Sequence, residues 1–218
     1  GRGGPRDLLA IRTTLEKASE IQSGLEAHDH PIAKTLIEKL GYHDELISTL
    51  KSALQESPPL LTRDGGFIAA SYNTDLDRYV SLRHDAKDHL KKLQEDYIAK
   101  TGVTSLKIKH NNVIGYFIEV TSSNASKLDE TFIHRQTMAN AMRFATSELV
   151  ELEQDLQAAD SKALEIELQI FEDLAHKIIS QSEALIQVAR TLAEIDVASS
   201  LAFFAKDNAY AKPDLTDD

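Results

Sequence analysis

Glycine and proline are missing from one long stretch of this 218-residue chain, and that gap limits the folds it can adopt. All nine glycines lie at or before Gly115, and neither residue type occurs from Tyr116 to Lys212. Because glycine and proline tend to end helices, a stretch without them favours long helices. Apolar residues recur every three or four positions over 149–170 and again over 185–201, which predicts two amphipathic helices. Thr146 is a suitable N-cap for the first of them.

The same periodicity predicts four helices in the first hundred residues, over about 7–27, 31–40, 44–55 and 74–100. Asn73 or Thr74 can cap the last of these, whose length would be ~40 Å at 1.5 Å per residue. Residues 60–70 are expected to be extended, with a turn at 64–66.

The period changes between the fourth helix and the last two. Residues 105–110 alternate between apolar and polar side chains, and 113–120 are rich in β-branched and aromatic residues, which is typical of strands. Asn111 and Asn112 tolerate the left-handed backbone of a tight hairpin turn. Two further strands are predicted over 131–135 and 142–145. The predicted fold class is therefore mainly α, with long antiparallel helices and a small antiparallel β-sheet inserted at their tip.

Composition excludes several classes of protein. No apolar run approaches the roughly 18 residues that a membrane-spanning helix needs. The chain has no cysteine, which excludes a disulfide scaffold and a thiol nucleophile and favours a reducing compartment such as the cytoplasm. The first residue is Gly1 rather than Met, so we expect the chain to have been cut from a longer protein.

Sequence motifs for catalysis are also missing. The chain contains no G-x-x-x-x-G-K-[ST] phosphate loop and no G-x-S-x-G elbow. We find no general base with a partner that could orient it in a cleft. We therefore predict no catalytic, metal-binding or cofactor-binding residues in this chain, and no enzymatic activity of its own.

Charge is distributed unevenly along the chain, whose formal net charge is −11. Residues 101–146 carry five Lys and Arg against three Asp and Glu, whereas 147–212 carry five against thirteen. Cations, amides and hydroxyls can contact a nucleic-acid backbone, and the positive segment supplies all three without an exposed aromatic series for base stacking. The predicted DNA-binding residues are Lys107, Lys109, Asn111, Arg135, Gln136, Thr137 and Asn140. An ordinary soluble hairpin tip is the alternative interpretation of the same residues.

Several stretches resemble, in the right order, the lever and clamp region of the MutS family of DNA mismatch-recognition proteins. Residues 62–69 (Thr-Arg-Asp-Gly-Gly-Phe-Ile-Ala) look like the start of the family's long lever helix. Residues 106–108, 111–118 and 135–141 are similar to its clamp, and 148–153 and 192–197 match the returning helices. The resemblance covers essentially the whole chain.

The resemblance implies three parts: 1–88 as the first part of the lever, 89–146 as the clamp, and 147–218 as the returning lever helices. In the family these helices lead to an ATPase domain, which we do not expect in this chain, so ATP and Mg²⁺ would bind elsewhere in the parent protein. In the family, the clamp closes on double-stranded DNA and touches its backbone without reading sequence. The resemblance further implies a bacterial, cytoplasmic parent protein that forms a homodimer and works with a partner such as MutL.

Two positions depart from the family pattern. The family often has a lysine immediately before the position of Asn140, where this chain has Ala139, and His134 replaces another residue that is often basic. Each change removes a positive charge from the predicted clamp. The competing hypothesis is a coiled-coil structural or protein-interaction arm with no direct DNA role.

Overall fold

A computed structural model describes residues 3–211 of the chain. The described residues form six α-helices and one four-stranded antiparallel β-sheet. The helices are α1 (Pro5–Glu26), α2 (Pro31–Leu40), α3 (Asp44–Ala53), α4 (Thr74–Thr101), α5 (Ser147–Ser180) and α6 (Ser182–Asp207). The strands are β1 (Lys107–Asn111), β2 (Gly115–Thr121), β3 (Ile133–Thr137) and β4 (Ala141–Ala145). The predicted fold class is thus confirmed: mainly α, with a small antiparallel sheet inserted between long helices.

The chain divides into two compact units. The helical unit combines the residues up to Ala69 with those from Gln169 onward, and the sheet unit is Ala70–Leu168. Helix α5 contributes residues to both units. No described helix is both long enough and apolar enough to cross a membrane.

The helical unit is held together by apolar faces on its helices. Leu15 of α1, Leu40 of α2 and Leu50 of α3 are each at most 3% exposed. Phe67 is fully buried and meets Phe171 of α5 edge to face, with 6.1 Å between ring centroids. Burial of such side chains stabilises a unit by about 1.5–3 kcal/mol each, which short helices such as α2 and α3 need because they are marginal alone.

The segment expected to be extended over 60–70 is so only at its end. Residues 67–69 pair with 53–55 through backbone hydrogen bonds of 2.8–3.0 Å. Residues Thr62–Asp64 instead form a 3₁₀ turn, which the sequence did not predict. Gly65 and Gly66 follow it with φ values of 63° and 72°, a backbone conformation that glycine adopts more readily than other residues.

The sheet unit has its strands in the order β1-β2-β4-β3. One sheet face packs against the helices, because Ile118, Val120 and Phe144 share a buried cluster with Leu93 of α4 and Leu149 of α5. The same cluster contains Tyr97, whose hydroxyl pairs with the Thr146 hydroxyl inside the core. This packing leaves the other sheet face directed away from the helices.

The predicted caps of the two helices that flank the sheet are confirmed. The Asn73 side chain accepts a hydrogen bond of 2.9 Å from the Leu76 N–H and caps α4. The Thr146 hydroxyl accepts one of 3.1 Å from the Leu149 N–H and caps α5. Gly102, with φ of 69°, ends α4 in the left-handed conformation.

The β1–β2 hairpin departs from the prediction in its turn. Asn111 pairs with Gly115, so the loop has three residues, 112–114, rather than two. Among the described residues outside glycine, only Ser71 and Ala209 have positive φ, and Gly115 has φ of 70°. The left-handed position therefore falls on Gly115 and not on either asparagine, as is common for three-residue hairpin loops that end in a glycine bulge.

Candidate nucleic-acid interface

Strand pairing decides which side chains share the sheet face directed away from the helices, which we call the outward face. Lys107 pairs with Glu119 and Lys109 with Phe117, while Ile108 between them pairs with the buried Ile118. Because paired residues in antiparallel strands point to the same side, both lysines lie on the outward face. Pairing of Glu119 with Arg143 adds the arginine to this face.

A polar network crosses all four strands on the outward face. Lys109 Nζ of β1 donates to Glu119 Oε1 of β2 at 2.6 Å. Arg143 Nε of β4 donates to Glu119 Oε2 at 3.3 Å, and Arg143 Nη1 donates to Gln136 Oε1 of β3 at 2.8 Å. Charge-assisted hydrogen bonds of this kind fix long side chains in one geometry.

An aromatic ring supports the arginine of this network. The guanidinium carbon of Arg143 lies 4.3 Å from the centroid of the Phe117 ring, within the range of a cation–π contact. Phe117 is only 3% exposed although it lies on the outward face. The ring therefore serves as a packed base for the guanidinium and offers no surface on which a nucleic-acid base could stack.

Glu119 is held in its charged form by the cations around it. Its hydrogen bond from Lys109, followed by the attraction of that ammonium and by Arg143, lowers the pKa of the Glu119 carboxyl below its ordinary value. The side chain is 22% exposed, so solvent screens these interactions only in part. At neutral pH the outward face therefore carries one carboxylate among three cations.

Lys107 differs from the other two cations. Its side chain is exposed, and among residues 3–211 it forms no hydrogen bond or ion pair. Together, Lys107, Lys109 and Arg143 exceed the charge of Glu119 by two. An exposed surface with excess positive charge and fixed N–H donors attracts anions such as phosphate.

Three of the seven predicted residues come together on the outward face: Lys107, Lys109 and Gln136. Asn111 is committed to the hairpin turn, where its side-chain oxygen accepts from the Val113 and Ile114 N–H groups at 2.9 Å each. Thr137 is bonded through its hydroxyl to His134 Nε2 at 3.0 Å. The side-chain oxygen of each of these two residues is thus already engaged within the protein.

The remaining two predicted residues lie elsewhere on the sheet unit. Arg135 is the extra residue of a β-bulge in β3, since His134 pairs with Phe144 and Gln136 with Arg143. It lines a cleft of about 390 Å³ together with Glu151 of α5. Asn140 is exposed in the β3–β4 turn, where its backbone carbonyl accepts from Ser122.

Arg143 is the outward-face residue that sequence reasoning omitted from the DNA-binding set. A signal for it existed, because Arg143 stands between the apolar Met142 and Phe144 in a strand that alternates. No group of three or more His, Asp or Glu residues that could hold a metal ion occurs within residues 3–211.

Comparison with known proteins identifies the family. Residues 71–162, which include the entire sheet and both flanking helical segments, match the model described as MutS family domain IV. The chain belongs to the MutS family. This finding confirms the resemblance inferred from the clamp and lever motifs.

The curated relatives agree with the family model. Proteins described as DNA mismatch repair protein MutS are 44% identical over 222 residues in Roseobacter denitrificans and 46% identical over 219 residues in Paracoccus denitrificans. These matches cover 99% and 98% of this chain but 25% of each relative. The chain therefore spans about a quarter of the length of the relatives it matches.

Proposed function

We propose that this chain is the lever and clamp region of a DNA mismatch repair protein and that the outward face of its sheet contacts the phosphate backbone of duplex DNA without reading sequence. The observation that carries the proposal is the set of three cations on that face, two of them held by hydrogen bonds, on the side away from the packed core. Phosphate contacts supply affinity and position a protein on DNA, whereas sequence is read by contacts with base edges.

The chemistry of the outward face favours backbone contact over base readout. Lys107 and Lys109 are exposed ammonium groups, which suit phosphate as point charges. Phe117 is covered by Arg143 and is unavailable for base stacking. With few cations on the face, the affinity of the chain alone should lie near the weak end of non-specific binding, with a Kd on the order of 10⁻⁴ M.

We further propose a mechanical rather than catalytic role, with ATP and Mg²⁺ bound by a part of the parent protein outside this chain. Helix α5, with 34 residues, contributes to both compact units, which supports transmission of a displacement through one hydrogen-bonded element. DNA could shift the arrangement of the parent protein only through unequal affinity for its states. A homodimeric, bacterial parent that works with MutL belongs to the same proposal.

Fluorescence anisotropy with a labelled 30-base-pair duplex tests DNA contact, using the 218-residue chain at several salt concentrations. Lys107→Met should weaken binding and reduce the slope of log K against log salt by about 0.9 per lost contact. A mixed-sequence and an AT-rich duplex should respond alike, because the contact lies on the backbone.

Lys92→Met is the matched control for this experiment. Lys92 is exposed on α4, in the layer that packs against the opposite sheet face, and its loss changes the net charge equally. If the Lys107 and control variants bind alike, or if no binding occurs even at 20 mM salt, the protein-interaction arm becomes the better hypothesis.

A further inference from the structure

We propose that Glu119 is a built-in competitor for DNA phosphate, whose carboxylate occupies the cationic outward face and keeps its affinity for duplex DNA low. The inference rests on the proposed function and assigns a role to a residue that a simple search for cations would pass over. It predicts that removal of a single carboxylate strengthens binding.

The surroundings of the Glu119 carboxylate are those that a phosphate would use. One oxygen accepts from Lys109 at 2.6 Å and the other from Arg143 at 3.3 Å. Lys107 is its direct partner across the β1–β2 pair. A phosphate oxygen that approaches Lys109 must displace this carboxylate or lie beside it, and two adjacent anions repel each other.

The arginine does not depend on Glu119 alone for its position. Gln136 accepts from Arg143 Nη1 at 2.8 Å, and the Phe117 ring supports the guanidinium from below. Glu119→Gln keeps the length of the side chain and one acceptor oxygen while removing its charge. The guanidinium should therefore stay in place in this variant, with one neighbouring anion fewer.

Competition by Glu119 makes the contributions of Lys107 and Lys109 to DNA binding unequal. The Lys107 ammonium has no hydrogen bond or ion pair within the described part of the chain, so its contact with phosphate replaces only water. Lys109 must exchange its ion pair with Glu119 for one with phosphate, so part of its contribution is cancelled. Lys109→Met should thus weaken binding less than Lys107→Met in the native background, and equally in the Glu119→Gln background.

The expected gain in DNA affinity of Glu119→Gln follows from counterion release. If loss of the carboxylate restores one full phosphate contact, the salt slope steepens by about 0.9 and affinity rises roughly fourfold at 0.2 M salt and roughly fifteenfold at 0.05 M. Glu130→Gln is the matched control, because Glu130 is exposed near the sheet and forms no hydrogen bond or ion pair among residues 3–211.

Duplex anisotropy over 0.05–0.2 M salt compares the native chain with Glu119→Gln, Lys107→Met and Lys109→Met, with each lysine substitution combined with Glu119→Gln, and with the Glu130 control. Circular dichroism checks that each variant is folded. Tighter binding by Glu119→Gln than by the control, together with unequal lysine variants, supports the inference. Binding that is unchanged or weaker in a folded Glu119→Gln protein overturns it, and weaker binding makes Glu119 a positioning residue for Arg143.

The lysine comparison also stands without the glutamine variant. Equal losses from Lys107→Met and Lys109→Met in the native background overturn the competitor even if Glu119→Gln fails to fold. Failure of the proposed function gives a different pattern, in which neither lysine variant differs from Lys92→Met. The two failures are therefore distinguishable in a single set of titrations.

Discussion

Thr146→Val should destabilise the sheet unit more than Tyr97→Phe, because the Thr146 hydroxyl serves two partners inside the core. It accepts from the Leu149 N–H at 3.1 Å and pairs with the Tyr97 hydroxyl. Thr146 is 6% exposed and Tyr97 is 7% exposed, so water cannot replace either partner freely. The pair connects the last part of α4 with the start of α5.

The two substitutions remove different numbers of interactions. Thr146→Val removes the N-cap, at about 1 kcal/mol, and leaves the buried Tyr97 hydroxyl unpaired, at about 1–3 kcal/mol. We therefore expect a loss of unfolding free energy of roughly 2–4 kcal/mol. Tyr97→Phe keeps the cap and removes one buried hydrogen bond, for a loss of about 1 kcal/mol. The double variant should lose less than the sum, since both changes remove the same pair.

Native-state hydrogen exchange of the α4 and α5 amides is the suitable assay, because it gives local free energies even when two compact units unfold separately. The Leu149 amide should lose protection in Thr146→Val and retain it in Tyr97→Phe. Equal losses in the two single variants, or strictly additive losses in the double variant, would refute the shared role of the Thr146 hydroxyl.

Three further predictions concern the sheet unit. Gly115→Ala should lower the free energy of unfolding by roughly 1–2 kcal/mol, since the φ of 70° at Gly115 disfavours a side chain and an added Cβ would overlap the Glu153 carboxylate. NMR titration should find the Asp129 pKa at about 2, lowered mainly by the hydrogen bond from the Thr131 hydroxyl and then by other donors. The ionised Asp129 carboxylate should therefore stabilise the fold fully above about pH 4, and this stabilisation should be lost as the pH falls to about 2. Burial raises the pKa of the Tyr116 phenol above its ordinary value of 10.0, so stability should fall as pH rises through that raised pKa, which ultraviolet titration measures.

Matched variants make these results specific. Gly24→Ala lies in α1 with nothing within 4 Å of an added Cβ and should stabilise by roughly 0.5–1 kcal/mol, the opposite sign from Gly115→Ala. Thr131→Val should raise the Asp129 pKa, and an unchanged value would contradict the assigned cause. Glu153→Gln should lower the Tyr116 pKa only in part, because burial is the larger cause.

Sequence reasoning predicted the elements well because their signals are local. Caps such as Asn73 and Thr146 form bonds with residues three positions away, so the pattern and the structure coincide. The alternation around Lys107 and Lys109 placed both lysines on the side away from the core, as strand pairing does. The three-part division at 88/89 and 146/147 stays a prediction.

The rest of the outward face depends on features that the sequence does not record. The bulge at Arg135 inserts one residue into β3 and shifts the alternation of side chains. Gln136 therefore lies on the outward face, and Thr137 forms its side-chain hydrogen bond with His134. The three-residue loop engages the side-chain oxygen of Asn111, whose contact with DNA stays a prediction. A single-residue change in register or loop length is enough to redirect polar side chains.

The sequence by itself determined which segments form helices and strands, because apolar periodicity and caps act over a few neighbouring residues, although strand ends such as those of β2 and β3 lie two residues or fewer from the predicted positions. Only the tertiary structure decided which cations on the sheet are neutralised. The strand order brings β4 beside β2, so that Arg143 meets a carboxylate 24 positions earlier in the chain, while the Lys107 ammonium has no ion pair within the described residues. Ion pairing depends on distance in space, and the order of strands in a sheet, not their order in the sequence, sets that distance.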